Sequence, residues 1–289
     1  HQDLSISKFL HFEPRKVAMI SGMLARKIGM SQIFQDNGTM VPVTVLQVGP
    51  MTVPQKKKQR PWGERFFRRF FYKYYSQNLL YELQVRARNE AVDYIQENMS
   101  DAMIWETQID IMRHGISSSD INGLFLEFGV ATGKSINLIS SLVSKNVEVF
   151  GFDTFQGLPQ NWSGHLAGKG QFAQKKIPKT NKNVTLIVGL FEDVLPKFIL
   201  NNDKDASFVH IDCDLYASTK TILDNLDKKI KPGTVILFDE YFNYPSWKKH
   251  EFKAWQEFCL NKKITYRYLG YTSVGGTVLL QVEKRSVIK

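Results

Sequence analysis

Short apolar runs alternate with stretches of helical periodicity from residue 121 to residue 284, and this alternation limits the fold more than any other feature of the chain. "LFLEFGV" is followed by "SINLISSLVSK" and then "VEVFGFD". Further on come "VTLIVG", "ASFVHID", "TKTILDNLDKKI", "GTVILFDEY" and "HEFKAWQEFCLN". Strand, helix and strand in repetition predict an α/β domain built on a parallel sheet. The end departs from the pattern. "TYRYLGYTS" and "GTVLLQVEK", joined through Gly275-Gly276, read as a terminal hairpin, so one of these strands must run antiparallel. With 43% hydrophobic residues in 289, the chain can build a sizeable core.

Upstream the rhythm is different. The order of residues in "MLARKIGMSQIFQDNGTMVPVTVLQVGP" places two β-like runs around Asp36-Asn37-Gly38, a hairpin turn signal. Residues 20–54 resemble the N-terminus of bacterial large-subunit ribosomal protein three, and the likeness stops after Pro54. Residues 1–54 are therefore expected to be a small hairpin or poorly packed fragment without activity. Residues 55–120 form a second zone. "QKKKQRPWGERFFRRFFYKYYSQ" (55–77) interleaves cations with aromatics. Such a stretch suits RNA, where rings stack on bases. It also suits an anionic membrane surface, or an amphipathic helix whose rings pack on the next domain. "NLLYELQVRARNEAVDYIQENM" has helical periodicity, and "DAMIWETQIDIMRHG" reads as one further helix closed by Gly115. The third zone, 121–289, is the α/β domain.

The loop in "FLEFGVATGKSI" (125–136) joins the first strand of that domain to its helix, where backbone N–H groups can approach a ligand. Three ligands compete for it. A phosphate loop, G-x-x-x-x-G-K-[ST], needs glycine at position 128, which is Phe128. A dinucleotide fingerprint, G-x-G-x-x-G, finds only Gly129 and Gly133. S-adenosylmethionine carries cations and no phosphate. It calls for an acid beside the loop and another at the end of the second strand for the ribose hydroxyls. Glu127 and Asp153 stand at those places, Asp153 lying 24 positions after Gly129. Glu127 alone would also suit a helix N-cap partner, but the combination of Glu127, Gly129, Gly133 and Asp153 favours S-adenosylmethionine.

Two later strands end in carboxylates: Asp212 and Asp214 in "HIDCDLYAST", then Asp239 and Glu240 in "VILFDEYFNYP". In an open parallel sheet ligands sit beyond the carboxyl ends of the strands. Up to four acids then face one mouth, raising one another's pKa unless a cation neutralises them. Oxygen donors without sulfur suit a hard ion such as Mg²⁺. The alternative is that these acids are dispersed among loop lysines and helix caps.

The pieces "LEFGVATGKSI", "GFDTFQGLP", "VGLFEDVLP", "HIDCDLYASTKTIL" and "PGTVILFDEYFNYP" resemble, in order, the macrocin O-methyltransferase family of class I S-adenosylmethionine-dependent enzymes. The resemblance implies a Rossmann-like, seven-stranded, mostly parallel sheet with helices on both faces and an antiparallel last strand. It implies that Glu127, Gly129, Gly133 and Ser135 line the methionine end of the cofactor. Asp153 would take the ribose, and Gly189, Phe191 and Glu192 would lie near the adenine. Asp212, Asp239 and Glu240 would hold Mg²⁺, with Asp212 as proton acceptor. The family usually has Asp-Asp where this chain has Asp239-Glu240. A loop at 156–183, containing Trp162 and His165, would cover the acceptor. Those two side chains either contact a sugar or anchor the loop.

The activity expected is therefore methyl transfer from S-adenosylmethionine to a hydroxyl of a sugar-like small molecule. A net charge of +10 fits an acidic partner, but nucleic acid is not the expected one. An RNA methyltransferase and a non-enzymatic ribosome-associated binding protein are the alternatives. No apolar run is long enough to span a bilayer, and no secretory leader pattern stands at the first residues. Cys213 and Cys259, the two cysteines, form no C-x-x-C pair. A cytoplasmic setting is expected, and a homo-oligomer remains open.

Overall fold

The computed structural model describes residues 26–34, 40–47 and 62–285. The chain divides into two compact units, His1–Phe67 and Arg68–Lys289. In the first, β1 (Arg26–Phe34) pairs antiparallel with β2 (Met40–Gln47), with a register shift between Lys27 and Gly29. The expected Asp36-Asn37-Gly38 turn lies outside the described residues. Helix α1 (Trp62–Phe71), within which the division falls, runs into a wider π-helical turn at Tyr72–Ser76. Phe71 and Tyr72 are 62% and 58% exposed, so these rings are not buried in a neighbouring core.

The second unit is an eight-stranded sheet in the order β3-β9-β10-β8-β7-β4-β5-β6. Its strands are β3 (Met103–Trp105), β4 (Leu124–Phe128), β5 (Val149–Asp153), β6 (Val184–Val188), β7 (Ala206–Ile211), β8 (Val235–Phe238), β9 (Ile264–Thr272) and β10 (Val278–Arg285). Only β10, the last strand, opposes its neighbours; the other pairings are parallel. The Rossmann-like architecture is as expected, with one strand more than seven. The additional strand comes from "DAMIWETQIDIMRHG". Its first half, Met103–Trp105, adds a parallel edge strand to β9 instead of starting a helix. Helix α3 (Gln108–Ser117) starts afterwards, where the Thr107 side chain accepts the N–H of Asp110. Gly115 does not close the helix but lies inside it.

Strands buried on both faces read as continuous apolar runs, and the period of two then deals their side chains to two cores. Leu126 and Phe128 of β4, Ile236 and Phe238 of β8, and Val278 and Leu280 of β10 enter one core. Phe125, Leu237 and Leu279 enter the other. The first core is closed by α2 (Leu79–Asn98), α5 (Phe191–Leu200), α6 (Tyr216–Leu226) and α7 (Glu251–Lys262), through residues such as Ala91, Phe198, Leu223 and Trp255. The second is closed by α3 and α4 (Lys134–Leu142), through Ile111, Met112, Ile136 and Ile139. No described helix is long and apolar enough to cross a membrane.

From β4 the chain continues to β5 on one side, while β7 lies on the other. The strand order reverses there, and a crevice opens at such a switch point beyond the carboxyl ends of the strands.

Candidate functional site

At that crevice the loop after β4 and the loop after β7 run side by side. The N–H of Gly129 donates to Phe152 O at 3.0 Å and that of Asp212 to Phe128 O at 2.8 Å. Gly129 has φ +96°, and a Cβ placed on it would lie 1.7 Å from the carbonyl oxygen of Asp212. Glycine is required here both for the backbone angle and for the close approach of the two loops.

A cavity of about 710 Å³ opens above them. Gly129, Ala131, Asp153, Phe191 and Glu192 line its wall, and so do Asp212, Asp214, Asp239 and Glu240. The loop over it contributes Trp162, His165 and Phe172. The expected cofactor residues Gly129, Asp153, Phe191 and Glu192 are thus brought together with the expected acids Asp212, Asp239 and Glu240.

Four expected cofactor residues lie outside that wall, each for a local reason. Glu127 is fully buried in β4, its Oε1 3.1 Å from Nδ1 of His210 on β7. His210 is its register partner, so the two polar groups meet within the sheet. Glu127 Oε2 and His210 Nε2 have no hydrogen-bond partner among the described residues. The Glu127 carboxylate, aided by the charge of Asp239, works to raise the His210 pKa against its burial, and the net direction is up. Gly133 caps α4 beneath Pro178, which a Cβ would meet at 2.9 Å. Ser135 lies in the first turn of α4. Gly189 faces Val194, which a Cβ would meet at 2.5 Å.

Asp153 reaches the loop itself. Its Oδ2 accepts the N–H groups of Val130 and Ala131 at 2.9 and 2.7 Å, and its Oδ1 that of Phe155 at 2.7 Å. These bonds fix the shape of the glycine loop. A carboxylate has about four lone-pair sites, so one remains for a ligand hydroxyl.

The four acids crowd one mouth. None of the salt bridges among the described residues involves them. Burial, then the charge of Asp239, pushes Asp214 up to about 7. Burial and the charges of Asp239 and Asp214 push Glu240 up to about 8. Asp212 is raised well above the carboxylate range by burial and by Asp239, Asp214, Glu127 and Glu251. Asp239 is held from the far side, where its Oδ1 accepts from the Gln108 amide and, at 3.3 Å, from the Thr277 hydroxyl. Asp214 has φ +64°, a conformation that Asp and Asn tolerate better than most residues. It is not the N-cap of α6: that residue is Leu215, with no side-chain cap bond. The acids are not dispersed among loop lysines. Equally, among the described residues no three His, Cys, Asp or Glu side chains converge closely enough to hold a metal ion. The donor chemistry of Asp212, Asp239 and Glu240 fits Mg²⁺, whereas their present spacing does not form a cage.

In the covering loop Trp162 is buried and stacks on His165 with centroids 4.0 Å apart. Trp162 also meets Tyr244 edge-on at 5.4 Å. It anchors the loop while still bordering the cavity, and His165 stands exposed beside it. Sequence reasoning missed Gln108, Thr277 and Glu251. Glu251 offers only the weak signal of an acid in the first turn of a helix, which is common for dipole reasons alone.

Residues 126–241 match the model of a methyltransferase domain family. Among solved structures, the calicheamicin methyltransferase CalS11 is 19% identical, with 81% of this chain and 98% of that chain covered and a TM-score of 0.49. The O-methyltransferase NovP is 20% identical, covering 61% of this chain and 80% of its own, with a TM-score of 0.46. A separate set of relatives is ribosomal. The large ribosomal subunit protein uL3 of Acetivibrio thermocellus is 56% identical over 41 residues, which are 14% of this chain and 19% of that protein. That of Thermomicrobium roseum is 40% identical over 79 residues, 27% of this chain and 37% of that protein. The chain therefore spans only a minor part of the ribosomal proteins it matches. The stretch that matches a methyltransferase domain, residues 126–241, contains the glycine loop, Asp153 and both acid-bearing loops of the cavity.

Proposed function

We propose that the chain is an S-adenosylmethionine-dependent O-methyltransferase that methylates a hydroxyl of a sugar-like small molecule. One observation carries this reading: a single cavity is lined by the glycine loop, by Asp153 and by four acids that have no salt-bridge partner among the described residues. The cationic sulfonium and amino group of the cofactor complement such a mouth by favouring the ionised form of its acids, which the phosphates of RNA cannot do. The macrocin O-methyltransferase resemblance points the same way.

Gly129 and Ala131 would carry the cofactor, with Asp153 at its ribose and Phe191 beside its adenine. Next to the bound cation Asp212 would be a carboxylate, able to accept the acceptor's hydroxyl proton. When bound, the cofactor would supply an electrophilic methyl group on a sulfonium, which would pass to the acceptor oxygen as the carbon–sulfur bond breaks and its electron pair returns to sulfur, leaving a methyl ether and S-adenosylhomocysteine. Positioning within the cavity would contribute much of the rate. Trp162 and His165 border the acceptor end. We extend the proposal to Mg²⁺, which Asp212, Asp239 and Glu240 would hold. When bound it would supply positive charge beside the acceptor oxygen.

The test is methyl transfer from S-adenosylmethionine to a panel of glycosides and nucleotide sugars, followed by mass spectrometry with magnesium or with EDTA. Turnover is expected with magnesium. Asp212→Asn should reduce it by roughly 100-fold or more, the scale of a lost general base, while calorimetry shows cofactor affinity nearly unchanged. Cofactor that fails to bind, or Asp212→Asn as active as wild type, overturns the reading. Full activity in EDTA overturns the magnesium part alone.

A further inference from the structure

Both acid-bearing loops are tied to one side chain that lies outside the methyltransferase match. Glu251, the first residue of α7, is fully buried and makes no salt bridge with a cation among the described residues. Its Oε1 accepts the N–H groups of Cys213 at 3.3 Å and Asp214 at 3.1 Å. Its Oε2 accepts the N–H of Glu240 at 3.2 Å. Three backbone donors from two separate loops thus converge on one carboxylate, which the N-terminus of a 12-residue helix also favours. A buried acid among other acids is costly, so its position needs a reason beyond filling space. The preceding residue reaches in another direction. His250 Nε2–H donates to Ser163 O at 2.9 Å, within the loop that covers the cavity. Residues 250–251 therefore touch three loops bordering the same cavity.

We propose that Glu251 is a positioning residue that sets the spacing between the Asp212–Asp214 loop and the Asp239–Glu240 loop, and that with His250 it refers both to the covering loop. The peptide between Cys213 and Asp214 is held at the midpoint of the first acid run, so rotating it would re-aim the carboxylates on either side. The tether at Glu240 does the same for the second. The consequence for turnover rests on the methyltransferase reading; the tether itself does not.

Two variants test it. Glu251→Gln keeps the size but offers one carbonyl oxygen, so it can serve one loop while turning its own NH₂ towards the other. Glu251→Asp keeps the charge but is too short to reach both loops. Amide hydrogen exchange, read residue by residue by NMR, is the first measurement. Exchange at Cys213, Asp214 or Glu240 should rise about tenfold, the worth of one hydrogen bond, with β4 and β5 amides unchanged. The second is a split between constants: cofactor Kd unchanged, acceptor kcat/KM down on the order of 100-fold for loops set wrongly. Unchanged exchange at all three amides in both variants overturns the proposal. Uniformly faster exchange throughout the sheet overturns it too, making Glu251 a general stability residue. Local exchange changes with no methyl transfer even by wild type uphold the tether and sink the activity reading.

Discussion

Gly129 shows how tightly single residues are constrained at this site. Its φ is +96°, and a Cβ placed on it would lie 1.7 Å from the Asp212 carbonyl oxygen, so any side chain meets backbone, which cannot swing aside as a side chain can. Gly129→Ala should therefore displace the loop after β7 as well as its own. The expected cost is about 1–3 kcal/mol from backbone strain alone, with cofactor affinity lost together with thermal stability. A melting curve and a calorimetric titration check it; unaltered melting and binding in this variant would contradict the loop contact. Glu127 makes the opposite point. Its place just before the glycines reads as a ligand contact, yet β-sheet register pairs it with His210 in the interior. Residue type and spacing announced an acid at this position, but only the neighbouring strand decides which way that acid is answered.

Among the elements, α3 carries a comparable constraint. Gly115 packs against the sheet where a Cβ would meet Leu279 Cδ1 at 2.7 Å and Phe208 Cε2 at 2.9 Å. Gly115→Val should overpack this contact and destabilise the protein by about 1–3 kcal/mol, measured by denaturant unfolding, without altering the cavity-lining loops directly. Stability equal to wild type would show that α3 can lift off the sheet freely. In sequence Gly115 looked like the end of a helix, because glycine after a periodic run usually marks one. The packing partners that give it another purpose lie far along the chain and leave no local trace. The same holds for β3: three residues, Met103–Trp105, are too few to display a period, and only the edge of β9 makes them a strand. By contrast β4, β7, β8 and the hairpin of β9 and β10 were legible, since runs such as "FVHI" and "VILF" have no solvated face to interrupt them. Of the site, the acids at the strand ends and the glycine loop were legible for the same reason. Gln108, Thr277 and Glu251 were not, because each acts on Asp239 or on loop amides from another element of the fold.

At the scale of the whole molecule the charge is +10, yet the cavity mouth is lined by acids, so net charge gave no guide to the site. That local surplus should instead control how stability changes with pH. Asp214 moves from 3.8 to about 7 on folding and Glu240 from 4.5 to about 8. Asp212 and Glu251 are raised in the same direction by burial and by their acidic neighbours. A carboxyl whose folded pKa is raised binds its proton more tightly in the native state. Its favourable contribution is complete below the unfolded pKa and is lost as pH climbs towards the folded one. The magnesium-free protein should therefore lose thermal stability as pH climbs from about 4 to about 8, the window that Asp214 and Glu240 span. His210, also raised, acts with the same sign, whereas His165 and His250, lowered mainly by burial, oppose it around pH 6.5. The measurement is Tm from about pH 5 to about pH 8.5 in EDTA, a range that spans both raised carboxyls, repeated for a double variant carrying Asp214→Asn and Glu240→Gln. Wild type should melt lower at each step up in pH, and the double variant should show a shallower slope because two of the protons that fold with the protein are gone. Added magnesium or S-adenosylmethionine should stabilise wild type more at the alkaline end than at the acid end, where the acids already carry protons and a cation must displace them. A Tm that rises over this range in wild type, or a slope unaltered by the double variant, would mean that these carboxylates are solvated and do not crowd one mouth.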